Sequence, residues 1–191
     1  SLLALHRRAI RWEEASLRDI IDLLNSARID ALVASNVVFT HDDGTSAFVA
    51  QIDHVVVARR AVVVIESKRW QGAVFDGVEP GATSPALAAL FRTDTLAGAF
   101  AVHLKRESHD RISVRIEGTQ PVESSAGAKR KATTWRPPRE QARRQAARLQ
   151  NAFQRRGLAV PWVSSIVYYS HPEGTLDRKS TRLNSSHMSI S

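Results

Sequence analysis

Asp53, Glu66 and Lys68 are the residues of this chain whose types and spacing could do chemistry. Twelve residues separate the two acids, and the lysine follows the second acid by two. All three lie within residues 51–72, Gln-Ile-Asp-His-Val-Val-Val-Ala-Arg-Arg-Ala-Val-Val-Val-Ile-Glu-Ser-Lys-Arg-Trp-Gln-Gly, the most apolar part of the chain. Charges embedded there are costly unless paired or bound to a metal. Two carboxylates held together repel each other, and a divalent cation resolves the conflict. Oxygen ligands suit Mg²⁺, which keeps several waters and often takes only one or two carboxylates plus phosphate. Such an ion polarises a phosphoryl oxygen and lowers the pKa of a bound water. A lysine beside it could orient that water or stabilise the charge of a transition state. These are the parts needed to hydrolyse a phosphodiester bond. A Glu66–Lys68 ion pair at a strand end, with Asp53 as an ordinary edge acid, accounts for the same residues without chemistry. A Glu-x-Lys triplet is short and common, so spacing alone leaves both readings open.

The elements around these residues must bring them together. Leu17, Ile20, Ile21 and Leu24 recur with helical spacing and predict a helix over 11–25. Residues 33–40 read as a strand, and His41-Asp42-Asp43-Gly44 as a turn rather than a metal cluster. A second strand is expected over 46–57, a turn at Arg59-Arg60, and a third strand over 62–69. Its run of Val and Ile on both faces predicts a central strand covered on both sides. Side chains alternate along a strand, so Val62, Val64, Glu66 and Lys68 share one face. Asp53, on the neighbouring antiparallel strand, can approach Glu66 near one end of the pair, while His54 points the other way and reads as structural. Residues 76–136 look like an insertion, with a hairpin near 99–106 and 111–117. Pro137-Pro138 then opens a helix over 139–156 with Ala142, Ala146, Leu149 and Phe153 as its apolar stripe. Gly157 ends it, and residues 162–170 form a last strand.

The chain of 191 residues carries a net charge of +8. Such a basic balance suits a nucleic-acid partner through phosphate attraction. Arg139, Arg143, Arg144, Arg148, Arg155 and Arg156 crowd the second long helix, and Lys129-Arg130-Lys131 lie before it. They read either as a solvated helix face or as phosphate contacts that position DNA without reading its sequence. There is no cysteine, which excludes disulfides and thiolate metal sites. No apolar run is long enough for a transmembrane helix, and the expected setting is cytoplasmic. Asp177–His187 is one reading frame of a common short-read sequencing adapter. Residues 177–191 are therefore expected to be a disordered artefact, and residues 1–176 a single domain cut at both ends.

The pattern Gln-Ile-Asp-His-Val-Val-Val followed by Val-Val-Val-Ile-Glu-Ser-Lys-Arg-Trp-Gln-Gly resembles the nuclease-related domain (NERD) family of the PD-(D/E)xK superfamily. Pro138-Arg139-Glu140-Gln141 resembles that family's Pro-x-x-Gln helix. The resemblance covers roughly residues 11–75 and 135–170. It implies an α/β, restriction-endonuclease-like core, a mixed central sheet flanked by helices in the order α-β-β-β-insertion-α-β. It implies that Asp53 and Glu66 hold Mg²⁺ or Mn²⁺, joined by the Ser67 carbonyl, that Lys68 is the catalytic lysine, and that Gln141 faces the site. An acid of the first helix often joins such sites. The resemblance points to Glu14, although periodicity does not choose between Glu13 and Glu14. The implied function is metal-dependent hydrolysis of DNA with little sequence specificity, Lys68, Arg139, Arg143 and Arg144 touching the nucleic acid. A non-catalytic nucleic-acid-binding or partner-binding module of the same fold is the alternative.

Overall fold

A computed structural model describes residues 2–42, 47–79, 85–91, 99–109, 111–118 and 136–176. In chain order its elements are α1 (Leu2–Ser26), β1 (Ala31–Asp42), β2 (Ala47–Ala58), β3 (Ala61–Lys68), β4 (Gly72–Val78), α2 (Pro85–Phe91), β5 (Phe100–Arg106), β6 (Ile112–Glu117), α3 (Pro138–Arg155), β7 (Val163–Tyr169) and β8 (Gly174–Leu176). The strands form two mixed sheets, ordered β1-β2-β3-β7 and β6-β5-β4-β8, so the protein is of the α/β class. The chain divides into two compact units, with breaks after Arg69, after Pro138 and after Ser170. The expected adapter-like tail, Lys129-Arg130-Lys131 and the turn residues Asp43 and Gly44 lie outside the described residues.

The first unit holds the element order anticipated for the core: α1, β1, β2 and β3, then α3 and β7. β2 pairs antiparallel with β1 and with β3, and β3 runs parallel to β7. Strand alternation presents two apolar faces, and one helix covers each. On one face Val55, Val62, Val64 and Val163 pack with Ala146 and Leu149 of α3. On the other, Val56 and Ile65 pack with Ile20 of α1. Burying each of these Val, Leu and Ile side chains contributes about 1.5–3 kcal/mol. This double cover explains the unbroken Val-Ile run of β3.

The two long helices stop by the same device. Gly157 (φ 68) follows α3, with Leu158 N–H bonded to the Phe153 carbonyl at 3.0 Å and Gly157 N–H to Gln154 at 3.0 Å. This paired pattern satisfies carbonyls the helix leaves open. After α1, Ile29 N–H reaches Leu24 O at 2.9 Å and Arg28 N–H reaches Asn25 O at 3.0 Å, with Arg28 at φ 55. An arginine there carries no composition signal, which is why only the Gly157 stop was legible.

In the second unit the anticipated hairpin is present as β5 and β6, and two strands absent from the sequence reading join it. β4 pairs antiparallel with β5 and parallel with β8. Its partner in β5 lies across a long glycine- and proline-bearing segment, so local pattern does not announce it. Gly72 opens β4 at φ 97, and a Cβ there would collide with the Leu104 carbonyl oxygen. At Gly157 the added Cβ would meet nothing. Gly72→Ala is therefore expected to destabilise the protein by more than Gly157→Ala, whose left-handed backbone alone costs about 1–2 kcal/mol. Urea unfolding of the two variants against the parent decides this; equal losses would contradict the packing at Gly72.

Candidate functional site

The ladder between β2 and β3 runs from Ala58↔Ala61 to His54↔Ile65. Continued by one step, its register sets Asp53 opposite Glu66, on the face that α3 covers. There the strands part: β2 stays with β1, β3 stays with β7. Asp53 bridges the opening, since its Oδ2 accepts the Ser67 backbone N–H at 2.8 Å. A side chain thus takes a backbone donor that the sheet no longer serves. Across β1, Asn36 stands where Asp53 would find its partner, at φ 52, and the β1–β2 ladder skips that pair.

Glu66 and Lys68, two apart on β3, form an ion pair at 2.8 Å. Lys68 Nζ also donates to Gln141 Oε1 of α3 at 3.2 Å. Glu66 is 5 % exposed, and its Oε2 is buried without a partner at hydrogen-bond geometry among the described residues. Gln145, one turn beyond Gln141, donates from Nε2 to the Gln51 carbonyl at 2.9 Å. Its Oε1 is a second buried acceptor without a hydrogen-bond partner. Sequence reading overlooked Gln145. The available signal was its spacing of four from Gln141, which puts both amides on one helix face.

Burial raises the pKa of Glu66; Lys68 opposes the rise through its charge and its hydrogen bond, the charge of Asp53 adds to it, and the neighbouring Gln145 amide relieves it in part. Burial likewise raises that of Asp53, relieved by the Ser67 N–H and by Lys68 and increased by Glu13. Removal from water therefore outweighs the charge of Lys68 for both acids. Two desolvated carboxylates, one with an orphaned oxygen, form a donor set that fits a hard divalent cation. Among the described residues no group of three or more His, Cys, Asp or Glu is arranged to hold a metal. Mg²⁺ does not need one, because water and phosphate oxygens fill its other positions.

The first helix presents its two candidate acids differently. Glu14 is exposed, whereas Glu13 is half-buried and its charge reaches Asp53. The face of α1 against the sheet runs through Glu13, the fully buried Ser16 and Ile20, at spacings of three and four. An apolar count from the sequence passes over Ser16 and so rotates the helix by one position. Ser16 is buried because His54 meets it: Ser16 Oγ lies 2.7 Å from Nε2, and Ser35 Oγ 2.8 Å from Nδ1. Burial lowers the His54 pKa and favours the neutral ring. His54 thus points away from Asp53 and is fully engaged in the interior, as strand parity required. Tyr168 of β7 ties down the same helix, its hydroxyl donating to Asp19 Oδ2 at 2.9 Å, and burial together with that carboxylate pushes its pKa up to about 12.

At the rim, the Arg69 guanidinium lies 5.9 Å from the centre of the Trp12 ring. Arg143 and Arg144 are exposed on α3, Arg139 is half-buried, and Arg144 pairs with Glu140 at 3.6 Å. Such an exposed pair contributes little to stability, so it leaves the arginine available to an anionic partner. The side chains of His41 and Asp42 lie outside the described set.

No described helix is long and apolar enough to cross a membrane. No curated protein and no solved structure matches the chain. A family model does match. Residues 11–86, which carry α1, the β1–β2–β3 sheet with Asp53, Glu66 and Lys68, and the start of the second unit, are a match to the nuclease-related domain family, NERD.

Proposed function

We propose that this protein is a metal-dependent nuclease with a restriction-endonuclease-like core, hydrolysing DNA phosphodiester bonds at Asp53, Glu66 and Lys68. One observation carries the reading. Two acids distant in sequence converge where β2 and β3 part, both desolvated, with the Glu66 Oε2 unsatisfied and a lysine 2.8 Å from the same carboxylate. The match to a nuclease-related family over the same segment supports it.

Asp53 and Glu66 would hold Mg²⁺ or Mn²⁺, joined by the Ser67 carbonyl, with water and phosphate oxygens filling the other positions. When bound, the cation lowers the pKa of a coordinated water and polarises a phosphoryl oxygen. The Ser67 N–H holds the Asp53 carboxylate in place. Lys68, steadied by Gln141, stabilises negative charge that grows on the phosphate. Gln145 keeps α3 in register with β2 through the Gln51 carbonyl. Arg139, Arg143 and Arg144 lie along the same helix and contact the DNA backbone, which positions the substrate without reading its bases.

The chain is expected to nick or degrade DNA with Mg²⁺ or Mn²⁺. Lys68→Ala should reduce the rate on the order of 10²–10³-fold. A gel assay on plasmid DNA measures this, and undiminished cleavage by the variant would reject the assignment. Salt-sensitive DNA binding by the parent chain, with no cleavage in either metal, would instead support the binding-module alternative.

Stability offers a check that needs no substrate. A carboxyl whose folded pKa is raised favours the folded state while protonated. That contribution is present below the ordinary carboxylate range and is lost as pH rises through the raised value. At neutral pH without metal, the Glu66 charge therefore opposes folding. Glu66→Gln should raise the metal-free Tm, by about 2–4 °C for each kcal/mol relieved. The gain should shrink as pH falls toward the carboxylate range. Millimolar Mg²⁺ should raise the Tm of the parent and not of the variant. Differential scanning fluorimetry over a pH series reads all three outcomes; a metal-free variant less stable than the parent would refute the desolvation argument.

A further inference from the structure

We propose that Trp12 and Arg69 form a base-stacking and phosphate-binding platform at the mouth of the site, so that the DNA it takes has unpaired nucleotides beside the scissile phosphate. This rests on the reading of Asp53, Glu66 and Lys68 as a site that acts on DNA.

The packing of α1 fixes where Trp12 lies. Ile20 packs with Val56 of β2, and Ser16 Oγ lies 2.7 Å from His54 Nε2 of the same strand. Four helical residues advance about 6 Å, and two strand residues advance about 6.6 Å. Helix and strand therefore step together, and each turn toward the N-terminus of α1 runs toward Asp53. Trp12 is the next residue at that spacing, on the same side of the helix as Ser16 and Ile20. It is thus level with Ile52 and Asp53, where β2 and β3 part. Ser16 and Ile20 are buried there, whereas Trp12 remains 42 % exposed.

Arg69 arrives from the other side. It directly follows Lys68, the last residue of β3, and its guanidinium lies 5.9 Å from the centre of the Trp12 ring. Cation–π contacts reach out to roughly 6 Å, so this one is at the outer limit and adds little to stability. α1 is held to the sheet by Ile20, Ser16 and Asp19 instead. A lone exposed aromatic is ordinary on a protein surface. An indole beside a guanidinium, level with two desolvated carboxylates, is a combination that suits a nucleotide. The indole offers a flat apolar face for a base, and the guanidinium offers charge for a phosphate. In a duplex the faces of each base are covered by its neighbours, so an indole reaches only a base that has left the stack. Such stacking tolerates any base, because each has a π face. It therefore agrees with backbone contacts along α3 that read no sequence.

Fluorescence anisotropy with the full chain in EDTA tests this apart from cleavage. Three labelled probes of equal length are compared: single-stranded oligothymidylate, the same backbone carrying abasic sites, and a blunt-ended duplex. The parent should bind oligothymidylate more tightly than either other probe, on the order of tenfold. Trp12→Ala should remove that preference and leave duplex affinity within about twofold of the parent. Trp12→Phe, which keeps an aromatic face, should retain most of it. Arg69→Ala should lessen the salt dependence of single-strand binding by about 0.7 in the log–log slope, the share of one phosphate contact, whereas Trp12→Ala should leave that slope unchanged. The abasic comparison needs no variant, so it decides even if Trp12→Ala does not fold. Equal affinity of the parent for the oligothymidylate and abasic probes overturns the platform while leaving the nuclease reading intact. So does a folded Trp12→Ala protein that keeps the preference. A preference for oligothymidylate in a parent that never cuts DNA sustains the platform and overturns only the catalytic reading. Failure to bind any of the probes overturns both.

Discussion

Two carboxylates held out of water where a hairpin opens are the constraint on which the first unit depends. Asp53 and Glu66 stand at the point where β2 leaves β3, and burial raises the pKa of both. Each partner they have removes only part of that penalty. The Ser67 N–H serves one oxygen of Asp53, and Lys68 serves one oxygen of Glu66. A core optimised only for stability would replace such acids with apolar groups of similar size, since buried ion pairs rarely outperform hydrophobic packing. Their presence beside an apolar core of Val55, Val62 and Val64 is intelligible when a positive ligand completes the balance.

The surrounding elements divide the work of maintaining that opening. α3 closes one face with an apolar stripe and presents two glutamines to the polar end of the strands. Gln141 reaches Lys68, and Gln145 reaches the Gln51 carbonyl beside Asp53. α1 closes the other face, anchored by Ile20 in the core, by Ser16 at His54 and by Asp19 at Tyr168. Polar contacts supply direction where hydrophobic ones supply most of the free energy. The same division recurs at the chain's stops, where paired amide–carbonyl bonds end α1 and α3.

Much of the core was legible because its signals are local. The Val-Ile run of β3 announces a strand covered on both faces, and strand parity puts Glu66 beside Lys68 and turns His54 away from Asp53. Pro138 and Gly157 mark the ends of α3 through backbone preferences that hold in any context. The stop of α1 at Arg28, and the strands β4 and β8, carry no comparable mark. β4 owes its existence to partners at residues 100–104 and 174–176, and pairing over such distances leaves no periodicity in the strand itself.

By itself the sequence determined the set of acids and bases, the face each takes on its strand, and the order of helices and strands that bring them near. Those follow from alternation, from helical period and from backbone limits within a few residues. Only the tertiary structure decided which glutamate of α1 turns inward, that Gln145 joins Gln141, and that one oxygen of Glu66 is left without a donor. The reason is that a helix stripe read by hydrophobicity treats Ser16 as surface. Its hydroxyl is satisfied in the interior by His54, from a strand more than thirty residues further on, whose Nε2 lies 2.7 Å away.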